Sequence, residues 1–462
     1  MDSRLNRRKF MQGTAAMGAG LFVSGSALGQ TNGKSKDVLN IALIGAGAQG
    51  QALLTAITAL GAESGIRFIA VCDIWKENNL KRVSKTLDAY SSYGYKGTAY
   101  VDYKEMLDKE SDLDAVLIAT PDFWHAEQTV ACLKKGLNVY CEKEMSNTLD
   151  GAKQMVLAAK ETGNLLQIGH QRRSNPRYRY CYDKYIKEAG LLGRITTING
   201  QWNRGKSSCE EIVCKETIEP VDQATLNKYG FKDMKQFLNW RWYKGLGGGP
   251  IVDLGSHQID IYNWFLEARP ASVMAGGGVD YWKEHQWYDN VMAVFEYPTG
   301  KGTVRAFYQT TTTNSANGYY ECFMGDEGTL LISEASNRGS IYREAWVEEA
   351  KWDPWVTKGY IKKQGGITEK AKEDGAVVDL RESIPAAEYK IPVQMDVKYH
   401  QPHLQNFFAA IRGKEKLNCP AEIGYETAVT VLKINEAIEK GCKIEFKPED
   451  FQVCDGDAAK PV

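Results

Sequence analysis

Short apolar runs alternate with amphipathic helical patterns along the first third of the chain. Each run is bounded by polar or glycine residues and is followed by a segment in which apolar residues recur with a helical period. Strands are predicted over 38–44, 67–72, 115–119, 137–141 and 165–168, and helices over 124–135 and 149–161. This alternation is typical of a doubly wound parallel sheet. We therefore predict an α/β domain over about 36–169.

The pattern changes in the second part of the chain, over 170–462. Runs that alternate apolar and polar residues are separated by glycine and proline turns, which predicts an open, mainly antiparallel sheet in an α+β domain. A polar stretch over 203–239 has few apolar periods, and we predict an insertion that forms a lobe or arm. Amphipathic helices are predicted over 403–412 and 425–440, where they should pack back on the body of the protein.

Residues 246–266 join a glycine-rich turn to a helical pattern near the middle of the chain. Three glycines precede Pro250, which suits the first helical position because an N–H there has no partner. Asp253 and His257 are four residues apart, so both side chains leave the same face of the predicted helix. An acid beside an imidazole can act as a proton relay in which the carboxylate fixes the tautomer of the base. The alternative is that Asp253 caps the helix and His257 packs in the core.

A glycine motif follows the first predicted strand. Gly45, Gly47 and Gly50 form a G-x-G-x-x-G pattern at the start of a helix, and Asp73 ends the second strand. This context is typical of dinucleotide binding on a Rossmann sheet, because the glycines admit the pyrophosphate to a helix N-terminus. An acid at the position of Asp73 accepts from the ribose hydroxyls and repels a 2′-phosphate. The motif therefore predicts NAD, with NADP disfavoured.

Composition narrows the class of protein further. A formal net charge of -1 over 462 residues gives no basic footprint for nucleic acid. The ten cysteines lack the paired spacing of zinc sites, and His400 and His403 have no third ligand nearby, so we predict no metal and place these histidines at a helix start. Cys209 and Cys214 are near enough to pair, but spacing alone is no evidence for a disulfide. The many tryptophans and tyrosines fit core packing or a carbohydrate site.

The N-terminal 29 residues differ in character from the rest of the chain. Arg7 and Arg8 precede a weakly apolar stretch rich in glycine and alanine, and small residues precede Gln30. This pattern predicts a twin-arginine export signal over 1–29, with a merely basic N-terminus as the alternative. The stretch is too short and too rich in glycine for a membrane span. We therefore expect export in folded form to the periplasm or another extracytoplasmic space.

Several motifs together resemble the Gfo/Idh/MocA family, which is named for glucose–fructose oxidoreductase and inositol dehydrogenase. The first is the glycine loop, G-A-G-A-Q-G, and the second is a T-P-D-x-x-H motif that starts at Thr120. A C-E-K segment that ends at Lys143 and a Q-R-R segment that starts at Gln171 also match family patterns. The pair Asp253 and His257 matches the family's Asp/His pair. The resemblance covers nearly all of the chain after the predicted signal.

The resemblance implies roles for particular residues. His257 is expected to take the hydroxyl proton with Asp253 orienting it, while Lys143 holds the reacting oxygen. The implied cofactor-binding residues are Gly45, Gly47, Ala48, Gln49, Gly50, Asp73, Thr120, Pro121, Asp122, His125, Glu142, Lys143 and Gln171. The implied substrate-binding residues are Arg172, Arg173, Trp202 and Trp242, with Trp240 beside them. Glu144 stands where the family usually has proline, and we expect it to pair with Lys143 or another cation.

The implied activity is that of an oxidoreductase with tightly bound NAD(P) that acts on a sugar, polyol or glycoside. Export separates the protein from the soluble NAD pool, which favours reactions that return the hydride. One such reaction passes hydride between two sugars, and the alternative is an NAD-dependent glycosidase or lyase with no net redox change. A second alternative is a non-catalytic sugar-binding protein that carries the cofactor. The resemblance also implies a homo-oligomer, a dimer or tetramer that forms through the C-terminal sheet.

Overall fold

The computed structural model describes residues 37–91, 97–335, 337–364 and 383–453. The export signal predicted over 1–29 lies outside these ranges. No helix within the described ranges is both long enough and apolar enough to cross a membrane.

Residues 39–168 form a six-stranded parallel sheet, which confirms the predicted doubly wound architecture. The strands are β1 (Leu39–Ile44), β2 (Ile66–Cys72), β3 (Thr98–Tyr100), β4 (Ala115–Ile118), β5 (Asn138–Cys141) and β6 (Leu166–Ile168). The helices are α1 (Ala48–Thr58), α2 (Lys81–Ser91), α3 (Tyr103–Lys109), α4 (Asp122–Lys134) and α5 (Leu149–Thr162). The strand order is β3-β2-β1-β4-β5-β6. The order reverses between β1 and β4, and such sheets bind ligands beyond the carboxyl ends of the strands at that point.

Alternate residues of β1 enter two different apolar clusters. Ile41 and Leu43 belong to one cluster, whereas Ala42 and Ile44 belong to the other. Successive side chains of a strand point to opposite faces, and here both faces are covered by helices. The strands of this domain therefore have continuous apolar sequences, without alternation of apolar and polar residues.

The second domain contains a ten-stranded, mainly antiparallel sheet, as predicted. Its strands are β7 (Ile195–Asn203), β8 (Ser272–Gly278), β9 (Asn290–Thr299), β10 (Gly302–Thr311), β11 (Tyr319–Gly325), β12 (Gly328–Ile332), β13 (Gly339–Arg343), β14 (Lys362–Lys363), β15 (Ala387–Lys390) and β16 (Ile444–Glu445). The sheet order is β14-β15-β13-β12-β11-β7-β10-β9-β8-β16, and only β7 and β10 pair in parallel among the described strands. The helices are α6 (Pro176–Tyr180), α7 (Gln223–Lys228), α8 (Met234–Leu238), α9 (Gly249–Leu266), α10 (Asp353–Thr357), α11 (Gln401–Ile411) and α12 (Ala421–Lys440).

The helix α9 is enclosed between this sheet and α12. Tyr262 Oη donates to the carbonyl oxygen of Phe307 in β10 at 3.0 Å. At the start of the helix, Asn435 Nδ2 of α12 donates to the carbonyl oxygen of Gly248 at 2.8 Å. Gly249 has a φ of +76°, and a Cβ there would lie 2.7 Å from Cβ of Trp287. The glycine-rich turn is therefore required for the chain to enter a helix in this packed position.

The segment over 203–239, which we call the cover segment, packs against the first domain through aromatic side chains. The ring of Phe231 lies edge-on to that of Phe123, with centroids 5.4 Å apart. The indole N–H groups of Trp75 and Trp124 donate to backbone carbonyls of the segment at 2.8 and 3.1 Å. Its buried apolar residues all enter one cluster with Trp75, apart from Cys209. The predicted insertion is therefore a packed lobe on the first domain and not a free arm.

Candidate active site

Two adjoining cavities lie beyond the carboxyl ends of the parallel strands. The strand-end cavity has a volume of about 630 Å³ and is lined by the glycine loop, the ends of β2 and β4, and the cover segment. The inter-domain cavity, of about 550 Å³, lies between the first domain and the start of α9. Both volumes are typical of small-molecule sites. The residues that line both cavities are Gln49, Glu142, Lys143, Ile212, Leu238 and Arg241.

The glycine loop forms one wall of the strand-end cavity. Gly45 has a φ of +90°, and a Cβ on Gly50 would lie 1.9 Å from the carbonyl oxygen of Gly45. A Cβ on Gly47 would instead meet no atom closer than 3.9 Å. Gly47 therefore leaves an open cradle at the start of α1, where Ala48 and Gln49 line the cavity. Free N–H groups at a helix N-terminus favour a phosphate, so this cradle fits a pyrophosphate.

Asp73 lies at the end of β2 and lines the strand-end cavity. Its carboxylate accepts from the N–H groups of Ala46 and Trp75, each at 2.7 Å, and from Nδ2 of Asn79 at 3.1 Å. Burial raises the pKa of this carboxyl, and the hydrogen bonds oppose the rise. The carboxylate thus holds the glycine loop as well as facing the cavity. Asn79 and Arg82 line the same region, and their only sequence signal is their place shortly after Asp73.

The loop after β4 supplies a second wall. Thr120, Pro121 and Asp122 line the strand-end cavity, and burial raises the pKa of Asp122 to about 7. His125 lies behind this wall, with its ring nitrogens 2.7 Å from the carbonyl oxygen of Glu144 and 2.8 Å from that of Thr120. The expected direct contact of His125 with a cofactor is therefore not supported. The first turn of α4 directs the ring into the interior, where it positions the two loops.

Lys143 follows β5, and its ammonium group reaches α9. Nζ donates to the carbonyl oxygen of Asp253 at 2.5 Å and to Oδ1 at 3.0 Å, while Nε of Arg241 lies 3.3 Å from the same Oδ1. Burial acts to raise the pKa of Asp253, but Lys143 and Arg241 hold it well below its usual range. The expectation that Asp253 orients His257 is therefore not supported. The two side chains share a helix face, yet the carboxylate turns toward the two cations.

His257 lies one turn beyond Asp253 and lines the inter-domain cavity. Its ring packs on Trp202 with centroids 5.5 Å apart. Its Nδ1 has no hydrogen-bond partner among the described residues. Burial, followed by the positive charge of Lys143, lowers the pKa of His257 well below its ordinary value. The imidazole is therefore neutral near pH 7 and can accept a proton.

Gln49, Glu142 and His400 meet where the two cavities join. Gln49 Nε2 donates to Oε1 of Glu142 at 2.9 Å and lies 3.2 Å from Nε2 of His400. The hydroxyl of Tyr140 also donates to Oε1 of Glu142, at 3.2 Å. His400 precedes α11 and lines the inter-domain cavity, as does Gln171. The sequence predicts only a helix start at His400, because nothing in the local pattern indicates its contact with the glycine loop.

The side chains of Arg172 and Arg173 are buried in ion pairs. Arg172 pairs with Glu321 and with Glu334, the latter at 2.8 Å, and Arg173 pairs with Asp260 at 2.8 Å. Neither arginine lines the inter-domain cavity or the strand-end cavity. Their expected contact with substrate is not supported, because buried carboxylates already compensate both charges. The sequence pattern of two arginines does not distinguish this structural role from a binding role.

The tryptophans expected to contact substrate divide between the two cavities. Trp202 and Trp242 line the inter-domain cavity, whereas Trp240 lines the strand-end cavity. The ring of Trp202 stacks on Tyr319 with centroids 4.6 Å apart, and Trp242 stacks on His285 at 3.8 Å. The rings of Trp202 and Trp242 are therefore each stacked on another side chain, which limits the ring surface that a sugar could contact.

Glu144, which replaces the proline usual at this position in the family, is buried beside the site. Its Oε1 accepts from the N–H of Met145 at 2.8 Å, and Oε2 has no partner within the described ranges. Burial raises the pKa of Glu144 to about 8. The expected ion pair with Lys143 does not form, because the ammonium group of Lys143 turns to Asp253. Glu144 is therefore protonated and neutral near pH 7.

Other candidate chemistry is limited in the part of the chain that the structure describes. It contains no group of three His, Cys, Asp or Glu side chains that could hold a metal. Cys209 and Cys214 are free thiols, and Cys209 lines the inter-domain cavity. His403 is buried, with Nδ1 2.7 Å from Oγ of Ser174 and Nε2 2.9 Å from the carbonyl oxygen of Ile168. The ring of His403 therefore links the two domains.

Both domains match models of known oxidoreductases. Residues 39–170 match the model described as "oxidoreductase family, NAD-binding Rossmann fold". Residues 211–446 match the model described as "oxidoreductase family, C-terminal alpha/beta domain". The matched segments thus include the glycine loop, the cover segment from 211 onward and the helix α9.

Named relatives act on sugars and polyols. A 1,5-anhydro-D-fructose reductase of Ensifer adhaerens is 27% identical over 244 residues, which are 53% of this chain and 63% of the relative. An inositol 2-dehydrogenase of Rubrobacter xylanophilus is 25% identical over 262 residues, 53% of this chain and 60% of the relative. The chain thus spans less than two thirds of the length of these relatives. The structure of a levoglucosan dehydrogenase in complex with NADH superposes with a TM-score of 0.63 at 17% identity, and covers 88% of this chain and 98% of that one.

Proposed function

The chain belongs to the Gfo/Idh/MocA family of oxidoreductases, and from this premise we propose that it transfers hydride between a nicotinamide and a carbinol carbon of a sugar, polyol or glycoside. The observation that carries the proposal is the position of the three candidate catalytic side chains. Lys143 lines both cavities, and Asp253 and His257 line the inter-domain cavity beside it. A substrate carbon in the inter-domain cavity is thereby placed next to the mouth of the dinucleotide site.

The proposed roles follow from the charges of these groups. When bound, the nicotinamide supplies the acceptor for a hydride from the carbinol carbon. His257, which is neutral, takes the hydroxyl proton as the carbonyl forms. An ammonium group has three N–H donors, and Asp253 occupies two of those of Lys143, so one remains for the reacting oxygen. Asp253 keeps Lys143 charged and in position, so that negative charge on that oxygen is stabilised.

For the cofactor we propose NAD in preference to NADP. The carboxylate of Asp73 disfavours a 2′-phosphate in the strand-end cavity. Arg82, which follows Asp73 shortly in sequence, lines the same cavity and favours the phosphate, so the preference depends on the balance between its charge and that of Asp73. Equilibrium titration with NAD and NADP measures it, and equal affinity for the two would contradict the proposal.

We further propose that the cofactor stays bound between turnovers. The cover segment contributes Ile212, Val213, Tyr229, Phe231 and Leu238 to the lining of the strand-end cavity. It is tied to the first domain by the two tryptophan hydrogen bonds, so a cofactor enclosed there leaves only when these contacts open. This enclosure favours a second candidate function, a redox-neutral cycle in which a glycoside is oxidised, its aglycone is eliminated and the hydride is returned.

Two further proposals concern the setting of the protein. The arginine pair in the sequence over 1–29 supports export by the twin-arginine route to an extracytoplasmic space. Met274 and Met292 are 58% and 56% exposed on adjacent strands β8 and β9, which supports a homo-oligomer formed through this sheet. Replacement of Arg7 and Arg8 by lysine should block export, and light scattering should give a mass that is a multiple of the monomer.

The proposed activity is tested on the protein as purified. Absorbance and fluorescence spectra report any bound nicotinamide, and a panel of sugars, polyols and glycosides is then added with and without external NAD. Reduction of the nicotinamide by a sugar or polyol supports the oxidoreductase. Release of an aglycone without net NADH supports the redox-neutral cycle. A protein that binds nicotinamide but changes no compound in the panel would contradict both.

A further inference from the structure

Asp253 lies among three cationic side chains. Lys143 and Arg241 both lie within ion-pair distance of Oδ1 of Asp253, at 3.0 and 3.3 Å. Arg204, which follows β7, lines the same inter-domain cavity. The carboxylate of Asp253 is half-buried and contacts two of these three cations, so the third has no share in that ion pair.

Arg204 has no carboxylate partner among the described residues. Its guanidinium group packs on the ring of Trp202 at 5.4 Å from the centroid, and this is the contact that holds it in the cavity wall. Arg241 contacts Asp253 through Nε and packs on Trp240 at 4.3 Å, and it has no other carboxylate partner within the described ranges. The forked end of Arg204 is thus available to a ligand.

The other acidic residues that line the cavity form no ion pair with Arg204 or Arg241 within the described ranges. Glu142 accepts from Gln49 and Tyr140, and Glu334 pairs with Arg172. Glu210 is exposed at the cavity wall and forms no ion pair with a described residue. Among the described residues, Arg204 therefore remains a cation of this cavity wall without a carboxylate contact, and a negatively charged group that enters from outside can pair with it.

We propose that the substrate is an anionic sugar, such as a uronic acid or its glycoside, whose carboxylate is bound by Arg204 with help from Arg241. A planar carboxylate matches the fork of a guanidinium group, and such charge-assisted hydrogen bonds are among the strongest polar contacts in proteins. This inference rests on the proposed function only in taking the inter-domain cavity as the substrate site. Neutral sugars lack the group that the two arginines recognise.

Calorimetric titration of the purified protein with its bound cofactor tests the inference with matched pairs of ligands. D-glucuronate is compared with D-glucose, and D-galacturonate with D-galactose, because the members of each pair differ only in a carboxylate at C6. At least one uronate should bind about 10- to 100-fold more tightly than its neutral partner. Arg204→Gln should abolish this preference, and Arg204→Lys should retain part of it because the charge remains.

Lys206→Gln is the matched control, since Lys206 carries the same charge two residues away but packs on Tyr281 outside the cavity. It should leave the preference unchanged. Neutral sugars that bind as tightly as uronates, or a preference that survives Arg204→Gln, would overturn the inference. Binding and turnover are measured separately. A preference for uronates that depends on Arg204, without reduction of nicotinamide, contradicts only the proposed function. Turnover of neutral sugars by the wild type, without a preference for uronates that depends on Arg204, contradicts only the inference.

Discussion

The two cavities differ in how far their polar groups are paired within the protein. In the strand-end cavity, the carboxylate of Asp73 accepts hydrogen bonds from backbone N–H groups, one of them in the loop that contains Gly45 and Gly47. These hydrogen bonds fix the shape of the cavity wall. In the inter-domain cavity, several groups lack a hydrogen-bond or ion-pair partner among the described residues, including Nδ1 of His257 and the guanidinium group of Arg204. The first cavity is organised to hold a ligand of fixed shape. The second keeps charge and proton-accepting capacity available for a reaction.

The largest expected effect is a loss of dinucleotide binding on substitution in the glycine loop, without a loss of stability. Gly47→Val should abolish dinucleotide binding while the thermal midpoint of the cofactor-free protein stays close to that of the wild type. The reason is that Gly47 has a φ of −67°, which any residue adopts, and its Cβ position points into the open cradle. Fluorescence titration with NAD and thermal unfolding measure the two properties.

Gly50→Val is the matched comparison, because its Cβ would overlap the carbonyl oxygen of Gly45. This variant should lose stability as well as binding, by about 1 to 3 kcal/mol or more, as overpacked sites do. If Gly47→Val were equally destabilised, the cradle would be a packed part of the fold, and the contrast between the two cavities would fail.

The next largest effect tests the proton acceptor in the inter-domain cavity. His257→Asn should slow reduction of the bound nicotinamide by about 10²- to 10⁴-fold, the range expected for loss of a general base. Cofactor binding should be unchanged, because His257 does not line the strand-end cavity. Single-turnover absorbance at saturating substrate measures the rate.

Ser256→Ala controls for disturbance of α9, since Ser256 is buried next to His257 but lines neither cavity. It should leave the rate within a few-fold of wild type. A rate of His257→Asn that is similarly close to wild type would assign the proton to another acceptor, of which His400 is the other imidazole in the cavity.

The difference between the cavities also explains what sequence analysis could predict. The strand-end cavity is made of residues at the ends of successive strands, and each comes with a local signal: a glycine pattern, or an acid after an apolar run. The parallel order of the sheet brings these signals together without further information. Asp73, Thr120 and Glu142 could therefore be placed from the sequence near a cofactor, and all three line this cavity.

The inter-domain cavity depends on contacts between distant segments, which local patterns do not encode. Gln49 and His400 are 351 residues apart, and neither has a neighbour in sequence that indicates the other. The sequence around Arg172 is the same as that expected around a ligand-binding arginine, yet Arg172 is buried in ion pairs with Glu321 and Glu334. Spacing along α9 predicted that Asp253 would orient His257, whereas Lys143, which is 110 positions away, determines the direction of the carboxylate. These outcomes follow from the balance of buried charges, which requires the tertiary structure.

A smaller effect is expected where the cover segment closes the strand-end cavity. Phe231→Ala removes the ring that packs on Phe123 and Phe237, at 5.4 and 5.1 Å. Loss of this anchor should speed dissociation of the bound dinucleotide by about 10- to 100-fold, equivalent to about 1.4 to 2.7 kcal/mol. The rate of hydride transfer before dissociation should not change. Stopped-flow fluorescence with excess competing nucleotide measures the dissociation.

Phe446→Ala controls for a general loss of stability, because Phe446 is buried against Phe451 and lines neither cavity. It should lower the thermal midpoint without changing dissociation of the cofactor. Equal acceleration in both variants would mean that the cofactor leaves by global loosening, and the cover segment would then have no special role in retention.

The smallest effect on function is expected at Glu144, which is close to both cavities but lines neither. Its pKa is raised to about 8 by burial, from an ordinary value of 4.5. Between these two values the folded protein retains a proton that the unfolded chain has released, so rising pH destabilises the wild type by up to about 1.4 kcal/mol per unit. Glu144→Gln has no proton to lose, and its amide oxygen can still accept from the N–H of Met145.

The stability advantage of Glu144→Gln over wild type should therefore grow from pH 5 to pH 8 and level off above it. Denaturant unfolding at a series of pH values measures this difference, with Glu161→Gln, at an exposed position, as the control that should show no such trend. Hydride transfer near pH 7 should be nearly unchanged, because the neutral carboxyl is replaced by a neutral amide of the same shape. A difference that stays flat from pH 5 to pH 8 would mean that Glu144 is ionised in the folded protein. In that case a second negative charge lies beside Lys143, and it would oppose binding of an anionic substrate in the inter-domain cavity.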